Sequence, residues 1–551
     1  MSGDAVSGSD GPFESLRRRV VRTYEMLRGS SIDARPFRPG EDGPLARFDV
    51  PPTHEELDRY WVNAPFAYVV ITYDSAESEN RYHAIEPELN AFEAGLLERV
   101  REDIRDPLLF RSEDENPTDE VILEGELESL LEEYGVEVDM QTFHKLRYYL
   151  VRDFNGFGRL DPLMHDQHIE DVSCDGYDLP IFVYHDQYTD VATNVVFEEP
   201  DELDNYVVRL AQQSGRHISV GDPVVGTTLP DGSRVELALG EEVTPRGSAF
   251  TIRQYADDPF TPIDLIEYGT FNVEQMAYLW LAIENNKSLI FAGGTASGKT
   301  TSMNAVSMFV PPRSKVLSIE DTRELSLYHD NWLSSVTRER LHEGADIDMY
   351  DLLRSALRHR PEYIIVGEVR GGEAVTLFQA MNTGHTTFST MHADSIETVI
   401  NRLENEPINV PRAMVQSLDM ISIQVLTRKG EERVRRAKTV GEIGGIDQRT
   451  GELDYSAAFQ WDAETDSVRR RDSALLEEIQ DERGWSRSEL LQEIRDRERF
   501  LEFLQKRRIT DYRAFTALVN EYYAHPDRVM DRVERADVEL SAGEGLADAV
   551  E

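Results

Sequence analysis

The chain has 551 residues, too many for one hydrophobic core, so we expect two or three domains. Apolar residues make up 40% of the chain, a share that excludes a largely disordered protein. Acidic residues outnumber basic ones by 104 to 58, a formal net charge of -46, which disfavours nucleic acid as a partner because phosphate binding needs a basic surface.

The acidic residues are spread along the whole chain, and only seven of the 58 basic residues are lysines. This composition is similar to that of proteins from salt-loving archaea, in which abundant salt screens the repulsion between acidic surfaces; a local acidic tail is the alternative. No apolar run of about 18 residues and no signal-peptide pattern are present. The single cysteine, Cys174, excludes an intramolecular disulfide and a cysteine-based zinc cluster. We therefore expect a cytoplasmic protein.

The first half of the chain predicts a tail followed by an α+β region. Residues 1–45 are rich in Gly, Ser, Asp and Pro and predict a mobile tail with a short basic helix at 13–28. The arginines of that helix could contact anionic lipid or an acidic partner, but a solvated helix face is the preferred interpretation. Residues 46–258 predict an α+β domain or domains, with a strand at Ala67–Tyr73 and helices near 85–105 and 119–134. Pro259–Pro262 is the predicted linker.

Residues 263–430 show the alternating strands and helices of an α/β domain. Its predicted buried strands are the apolar runs at 288–293, 315–319, 363–367, 386–390 and 421–426. Residues 431–535 predict a small strand-rich piece at 431–462 and charged amphipathic helices from about 473 onwards. A disordered tail is predicted at 536–551.

The segment GGTASGKT matches the phosphate-binding pattern G-x-x-x-x-G-K-[ST]. Small residues let the backbone amides curl around phosphates, Lys299 offsets the phosphate charge, and the Thr300 hydroxyl coordinates Mg²⁺. The bare pattern also occurs by chance in glycine-rich loops, but here it lies between an apolar strand and a predicted helix. We therefore predict ATP and Mg²⁺ as cofactors. The predicted nucleotide contacts are Gly293, Gly294, Thr295, Ala296, Ser297, Gly298, Lys299, Thr300 and Thr301.

Carboxylates follow two further strands. The segment IIVGEVRGG places Glu368 after an apolar strand, where such an acidic residue holds Mg²⁺ directly or through water. The segment SIEDTREL places Glu320, Asp321 and Glu324 after another strand, at the edge where α/β sheets bind ligands. One of these three could orient the attacking water. An ordinary polar loop is the alternative interpretation.

Two histidines flank a short predicted strand in TGHTTFSTMHA. They are His385 and His392. A capping histidine or a metal pair would also explain them, but no further ligands stand nearby in the sequence for a metal.

The order of these four segments, and the Gly-Glu-Val-Arg form of the third, resemble the secretion-ATPase superfamily of type II and type IV secretion. In that family the segments are the Walker A motif, the Asp box, an atypical Walker B motif and the His box. The resemblance covers about 150–430, including IEDVSCDG and FTIRQY of the preceding domain. It implies a RecA-like P-loop core behind an α+β domain, with C-terminal helices, and a homo-hexameric ring with nucleotide between the two domains at each subunit boundary.

The resemblance also implies a role for each matching residue. Lys299 and Thr300 would contact phosphate and Mg²⁺, and Glu368 would act on the Mg²⁺ side. Glu324, the last glutamate of the Asp box, would position the attacking water. His392 would sense the nucleotide state. Arg234 and Arg253, in DGSRVE and FTIRQY, would approach the nucleotide as charge-stabilising fingers, or else form structural ion pairs.

Within the superfamily the chain is most similar to the archaellum motor ATPases, with WVNAPFAYVVI and RITDYRAFTALVNEYYAHPDRV as the segments to compare. An archaeal pilus-assembly or secretion ATPase is the alternative. The resemblance implies an integral membrane platform protein as partner, accessory regulators, and a position at the inner face of the membrane. A nucleic-acid translocase is opposed by the acidic charge, and a scaffold without turnover by the intact Lys299, Thr300, Glu324 and Glu368.

Overall fold

The computed structural model describes residues 35–109, 119–255, 259–338, 347–430, 432–447 and 449–542. The predicted basic helix at 13–28 and the last nine residues of the predicted C-terminal tail lie outside the described residues. The chain divides into two compact units, Met1–Tyr255 and Ala256–Glu551. Among the helices in the described ranges, none is long and apolar enough to cross a membrane.

One nine-stranded sheet forms the centre of the first unit. Its spatial order is β1-β2-β3-β6-β5-β4-β9-β8-β7. All neighbours pair antiparallel except β3 and β6, which are parallel. The strands are β1 His54–Asn63, β2 Ala67–Asp74, β3 Glu79–Ile85, β4 Ile169–Cys174, β5 Pro180–His185, β6 Thr189–Val196, β7 Val224–Thr228, β8 Arg234–Ala238 and β9 Ala249–Arg253.

The helices of the first unit cover this sheet and form a second apolar cluster. They are α1 Pro39–Asp42, α2 Ala91–Leu109, α3 Asp119–Tyr134, α4 Met140–Phe154, α5 Asp161–Met164 and α6 Pro200–Gln213. Helix α6 buries Leu203, Tyr206, Val207, Leu210 and Ala211, the spacing of one helical face, against the sheet. Helices α2, α3 and α4 pack their leucines on one another. The predicted α+β class of this region is confirmed.

Buried polar groups tie β1 and β3 to the rest of the first unit. The carboxylate of Asp166, almost fully buried, accepts hydrogen bonds from the hydroxyls of Tyr60 at 2.7 Å and Tyr82 at 2.8 Å. Tyr60 also lies 3.1 Å from Nε2 of His185. Because buried polar groups are costly unless they are paired, this network specifies how β1 and β3 align with β5.

A possible metal-ligand group lies next to this network. Ligand atoms of His168, His185 and Asp186 come within 4.8 Å of one another. However, Nδ1 of His185 already accepts the backbone N–H of Gln187 at 3.1 Å, and Nδ1 of His168 lies 2.9 Å from the Asp186 carboxylate. We therefore interpret the three side chains as a hydrogen-bonded ion-pair cluster.

The second unit is built on another nine-stranded sheet, in the order β12-β11-β13-β14-β10-β15-β16-β17-β18. The first six strands in that order are parallel, and β15 to β18 are antiparallel. The strands are β10 Leu289–Gly293, β11 Val316–Glu320, β12 Trp332–Val336, β13 Tyr363–Val366, β14 Thr386–Met391, β15 Met420–Lys429, β16 Glu432–Ile446, β17 Leu453–Asp462 and β18 Ser467–Arg470. The central parallel strands are buried along their whole length, as expected of a sheet covered on both faces.

The helices of the second unit lie before, between and after these strands. Two precede β10: α7 Pro262–Glu267 and α8 Val273–Glu284. Five lie between β10 and β15: α9 Lys299–Ser307, α10 Met349–Ala356, α11 Glu373–Asn382, α12 Ile396–Glu404 and α13 Arg412–Val415. Four follow β18: α14 Ala474–Arg483, α15 Arg487–Lys506, α16 Tyr512–Ala524 and α17 Pro526–Ala542. The predicted RecA-like α/β core with C-terminal helices is confirmed. Three details differ from the sequence expectation. Pro262, placed in the linker, is the first residue of α7, with Thr261 capping that helix, and the strand-rich piece at 431–462 continues the sheet of the core. Residues 536–542, predicted as the start of a disordered tail, belong to α17.

The C-terminal helices are packed into the core through Trp280 of α8. Its ring stacks on Phe309 at a centroid distance of 5.0 Å, and its Nε1 donates to the Tyr523 hydroxyl at 2.9 Å. The buried Arg497 of α15 lies over the same indole ring and donates to Glu284 and Glu493. The two carboxylates and the aromatic face hold the Nη1 and Nη2 side of this guanidinium, while its buried Nε has no hydrogen-bond partner among the described residues. These contacts join α15 to α8 and to the rest of the second unit.

Candidate functional site

The segment GGTASGKT forms a loop between the central strand β10 and helix α9. Strand β10 ends at Gly293 and α9 begins at Lys299. Ala296 and Gly298 adopt left-handed backbone conformations, with φ of +57° and +84°. A Cβ on Gly293 would lie 2.4 Å from Oγ of Ser297 and 2.5 Å from the carbonyl oxygen of Gln424, so only glycine fits where the strand turns. This is the backbone shape that aims consecutive N–H groups, together with a helix N-terminus, at an anion.

Lys299 is buried beside this loop. Its Nζ donates to the carbonyl of Gly294 at 2.8 Å and lies 3.5 Å from Nδ1 of His392. Burial lowers the pKa of Lys299, and the nearby carboxylates of Glu368 and Glu324 partly offset that effect. The structure therefore brings the predicted lysine, the predicted histidine and both predicted glutamates into one electrostatic site.

Glu368 contacts two nitrogen-bearing side chains, His392 and Arg370, at the ends of neighbouring strands. It follows β13 and Gly367, and its Oε1 lies 3.3 Å from Nε2 of His392, which directly follows β14. Its Oε2 accepts a hydrogen bond of 2.7 Å from Arg370, and this bond raises the pKa of the Arg370 guanidinium. Lys299, His392, Glu368 and Arg370 thus form a continuous chain of polar contacts at the carboxyl ends of the parallel strands, where α/β sheets bind ligands.

The Asp-box carboxylates divide into one buried and two exposed groups. Glu320, the last residue of β11, is 1% exposed, whereas Asp321 and Glu324 are exposed. Oε1 of Glu320 accepts the backbone N–H groups of Glu324 and Leu325, each at 2.9 Å, while its buried Oε2 has no hydrogen-bond partner among the described residues. Burial raises the pKa of Glu320 to about 7. Glu320 therefore fixes the loop that carries Glu324.

Gly367 packs next to Glu320. A Cβ built on Gly367 would lie 3.4 Å from Cγ of Glu320, an ordinary van der Waals distance, so Glu320 does not by itself require glycine at this position.

The two histidines lie at opposite ends of β14 and do different things. Nδ1 of His385 lies 3.2 Å from the Ala380 carbonyl and 3.2 Å from the Thr383 hydroxyl, at the end of helix α11. It therefore caps that helix, as one of the sequence interpretations proposed. His392 alone of the two reaches the site.

Arg234 and Arg253 lie in the first unit, on neighbouring strands. They are partners in the β8–β9 register, and both are exposed. Arg234 donates to Glu236 at 3.2 Å, and Arg253 donates to Asp171 at 2.9 Å. Each arginine thus takes part in an ion pair, and their role as fingers stays a prediction.

Sequence reasoning assigned no role to Arg370, which contacts Glu368, or to Arg435. Nε of Arg435, on β16, donates a hydrogen bond of 3.0 Å to the carbonyl of Ala296 in the phosphate loop. The two residues are 139 positions apart. They meet because β16 lies two strands from β10 in the sheet, a neighbourhood that no local pattern encodes.

Comparison with known families agrees with this geometry. Residues 178–482, more than half of the chain, match the family model of type II/IV secretion system proteins. The chain belongs to this family. In this secretion-family protein the matched range contains β10, the phosphate loop, both Asp-box glutamates, Glu368 and His392. Residues 14–88 match the model described as PilB3-like, N-terminal, and residues 464–545 match the one described as PilB3-like, C-terminal.

Individual relatives of the secretion-family protein come from archaea and bacteria. The uncharacterized protein MJ0900 of Methanocaldococcus jannaschii is 38% identical over 393 residues, covering 70% of this chain and 71% of that protein. The type IV secretion system protein PtlH of Bordetella pertussis is 32% identical over 285 residues, covering 45% of this chain and 82% of that protein.

Solved structures are more distant. The VirB11 ATPase of the Brucella suis type IV secretion system is 24% identical, with 51% of this chain and 94% of that chain covered and a TM-score of 0.26. The Yersinia pseudotuberculosis ATPase DotB is 17% identical, with 68% and 91% covered and a TM-score of 0.38.

Proposed function

We propose that this secretion-family protein is an ATP-hydrolysing motor that powers assembly or rotation of an archaeal type IV pilus-like filament. The observation that carries the proposal is the polar chain from Lys299 through His392 to Glu368, next to the phosphate-binding loop. Membership of the type II/IV secretion family supports it. ATP and water would be converted to ADP and phosphate.

The residues present fit a nucleoside triphosphate with Mg²⁺. The loop turns on two left-handed residues, and the helix that follows it presents its N-terminus and the Lys299 amine. Thr300 and Glu368 are the residues that would hold Mg²⁺, Glu368 directly or through water. When bound, Mg²⁺ supplies positive charge that offsets the developing phosphate charge.

We assign the positioning of the attacking water to Glu324. Glu320 fixes the backbone of Glu324 through its carboxylate, so the exposed Glu324 side chain projects from a held segment. Glu320 is itself the second candidate, because its raised pKa of about 7 suits a proton acceptor near neutral pH. His392 contacts both Lys299 and Glu368, so a change of charge at either end reaches the other.

The proposed motor is a homo-hexamer that works on an integral membrane platform protein, with accessory regulators, at the inner face of the membrane. Arg234 and Arg253 are the candidate fingers that would complete each nucleotide site. The net charge of -46 suits work at high salt and opposes a nucleic-acid translocase.

The candidate machines are the archaellum, an adhesive pilus and a secretion system. The matches of residues 14–88 and 464–545 to PilB3-like models favour pilus assembly over the archaellum. Deleting the gene and scoring motility, adhesion pili and secretion separately tests this choice. Loss of pili with normal swimming supports pilus assembly, loss of swimming alone supports the archaellum, and normal results in all three assays contradict the proposal.

A further inference from the structure

Arg435 contacts the phosphate loop at its two left-handed residues. Its Nε donates to the carbonyl of Ala296 at 3.0 Å, and its Cδ lies 3.3 Å from where a Cβ on Gly298 would be. Ala296 and Gly298 have φ of +57° and +84°. A non-glycine residue such as Ala296 rarely adopts this conformation unless its surroundings hold it there.

The neighbouring residue, Arg436, anchors the strand from which Arg435 projects. Nε and Nη2 of Arg436 donate to the Asp466 carboxylate at 2.8 and 3.0 Å, and Nη1 donates to the Tyr268 carbonyl at 3.0 Å. Successive side chains of a strand point to opposite faces, so Arg436 is buried while the half-buried Arg435 extends towards the loop. The donor that reaches Ala296 is therefore held by a rigid support.

Two other side-chain hydrogen bonds of the loop reach the carbonyl of Gly294, whereas the bond from Arg435 reaches that of Ala296. Oγ of Ser297 and Nζ of Lys299 both donate to the carbonyl of Gly294, each at 2.8 Å. These bonds fix the beginning of the loop. The bond from Arg435 fixes its middle, and the guanidinium also places a positive charge beside the segment that would receive phosphates.

We propose that Arg435 is a positioning residue of the nucleotide site, which holds Ala296–Gly298 in the conformation that accepts phosphates. The proposal rests on the proposed function of this loop in ATP binding. A loop that is already ordered loses less conformational freedom when ligand binds, so Arg435 strengthens binding without contacting the reacting atoms.

Hydrogen–deuterium exchange of the full chain, measured without nucleotide, tests the positioning itself. In Arg435→Ala the amides of residues 294–299 should exchange about tenfold faster than in the wild type, because local opening becomes easier. Arg433→Ala is the matched control, since Arg433 is exposed on the same face of β16, two residues away. It should exchange like the wild type. If Arg435→Ala does not fold, Arg435→Gln takes its place.

Titration with a fluorescent ATP analogue tests the consequence. Arg435→Ala should raise the Kd about tenfold, or ~1.4 kcal/mol, with kcat nearly unchanged. Arg435→Lys keeps a donor and the positive charge and should recover most of the affinity. Wild-type exchange and affinity in Arg435→Ala, or equal losses in Arg433→Ala, would overturn the inference. Faster exchange in Arg435→Ala together with a wild-type chain that does not bind ATP would instead contradict the proposed function alone.

Discussion

Nε2 of His392 lies 3.3 Å from Oε1 of Glu368, while Nδ1 of the same ring lies 3.5 Å from Nζ of Lys299. One imidazole thus connects the lysine of the phosphate loop with the carboxylate assigned to the Mg²⁺ side. Any change of charge or position at one of these groups alters the hydrogen bonding of the other. This relationship gives a physical basis for coupling nucleotide state to the surrounding loops.

Replacing His392 should break the polar contacts that connect Lys299 with Glu368. In His392→Asn, kcat should fall about tenfold to a hundredfold, since Glu368 loses an orienting partner, while ATP affinity changes little. His385→Asn is the control, because His385 flanks the same strand but caps helix α11. Steady-state ATPase assays and nucleotide titrations of both variants check this. Equal kcat losses in the two variants would show that a disturbance of β14, and not the loss of the contacts of His392 with Lys299 and Glu368, is responsible.

The buried carboxyl group of Glu320 should make the stability of the folded protein depend on pH. Burial raises its pKa from the ordinary 4.5 to about 7, so the folded state binds more protons than the unfolded state between these values. The free energy of unfolding should therefore fall as pH rises from about 4.5 to about 7, by up to about 3 kcal/mol from this group.

Glu320→Gln removes the titration while keeping the acceptor for the Glu324 and Leu325 amides. Urea unfolding of this variant and the wild type across that pH window should show the variant gaining relative stability as pH rises. Asp321→Asn, on the exposed side of the same loop, should not reproduce the gain. A stability difference that stays constant with pH would contradict the account of Glu320.

The glutamates proposed for water positioning, Glu324, and for the Mg²⁺ side, Glu368, should respond differently to substitution. Glu324→Gln should lower kcat by about two to four orders of magnitude and leave ATP affinity nearly unchanged, because water positioning acts in the transition state. Glu368→Gln should also shift the Mg²⁺ dependence of the reaction. Hydrolysis and ATP binding across a Mg²⁺ titration separate the two. Normal turnover in Glu324→Gln would transfer the role to Glu320 or Glu368.

Salt should increase both assembly and activity. Screening of the acidic surface by KCl relieves repulsion within and between subunits, which follows from the net charge of -46. Light scattering and ATPase rates should therefore rise from dilute buffer to molar KCl. Full activity in dilute buffer with inhibition by molar salt would be inconsistent with a halophilic protein.

The sequence predicted those parts of the site that are encoded locally. The phosphate loop, Glu368 and His392 each follow a buried strand, so their meeting at one edge of the sheet follows from parallel topology. The distinction between Glu320 and Glu324 depends on which side chain faces inwards at the end of β11, and periodicity does not fix this at a strand terminus. Arg435 was beyond prediction because its contact depends on the sheet order β10-β15-β16.

For the fold, too, the elements encoded by local patterns were predicted and those set by tertiary contacts were not. The long apolar runs predicted the central strands of the second unit, because a covered parallel sheet needs continuous apolar segments. The edge strand β12, with half-buried and exposed side chains, carries no such run and was not predicted. Nor did any pattern show that β16 to β18 extend the sheet of the core, since antiparallel pairing there is set by tertiary contacts.

Phosphate release by the full-length chain in molar KCl with ATP and Mg²⁺ tests the central claim most directly. The wild type should hydrolyse ATP, Lys299→Ala should lose nearly all turnover while keeping its circular dichroism spectrum, and Lys438→Ala, an exposed lysine of β16, should behave like the wild type. A Lys299→Ala variant that hydrolyses ATP at the wild-type rate would contradict the assignment of the site.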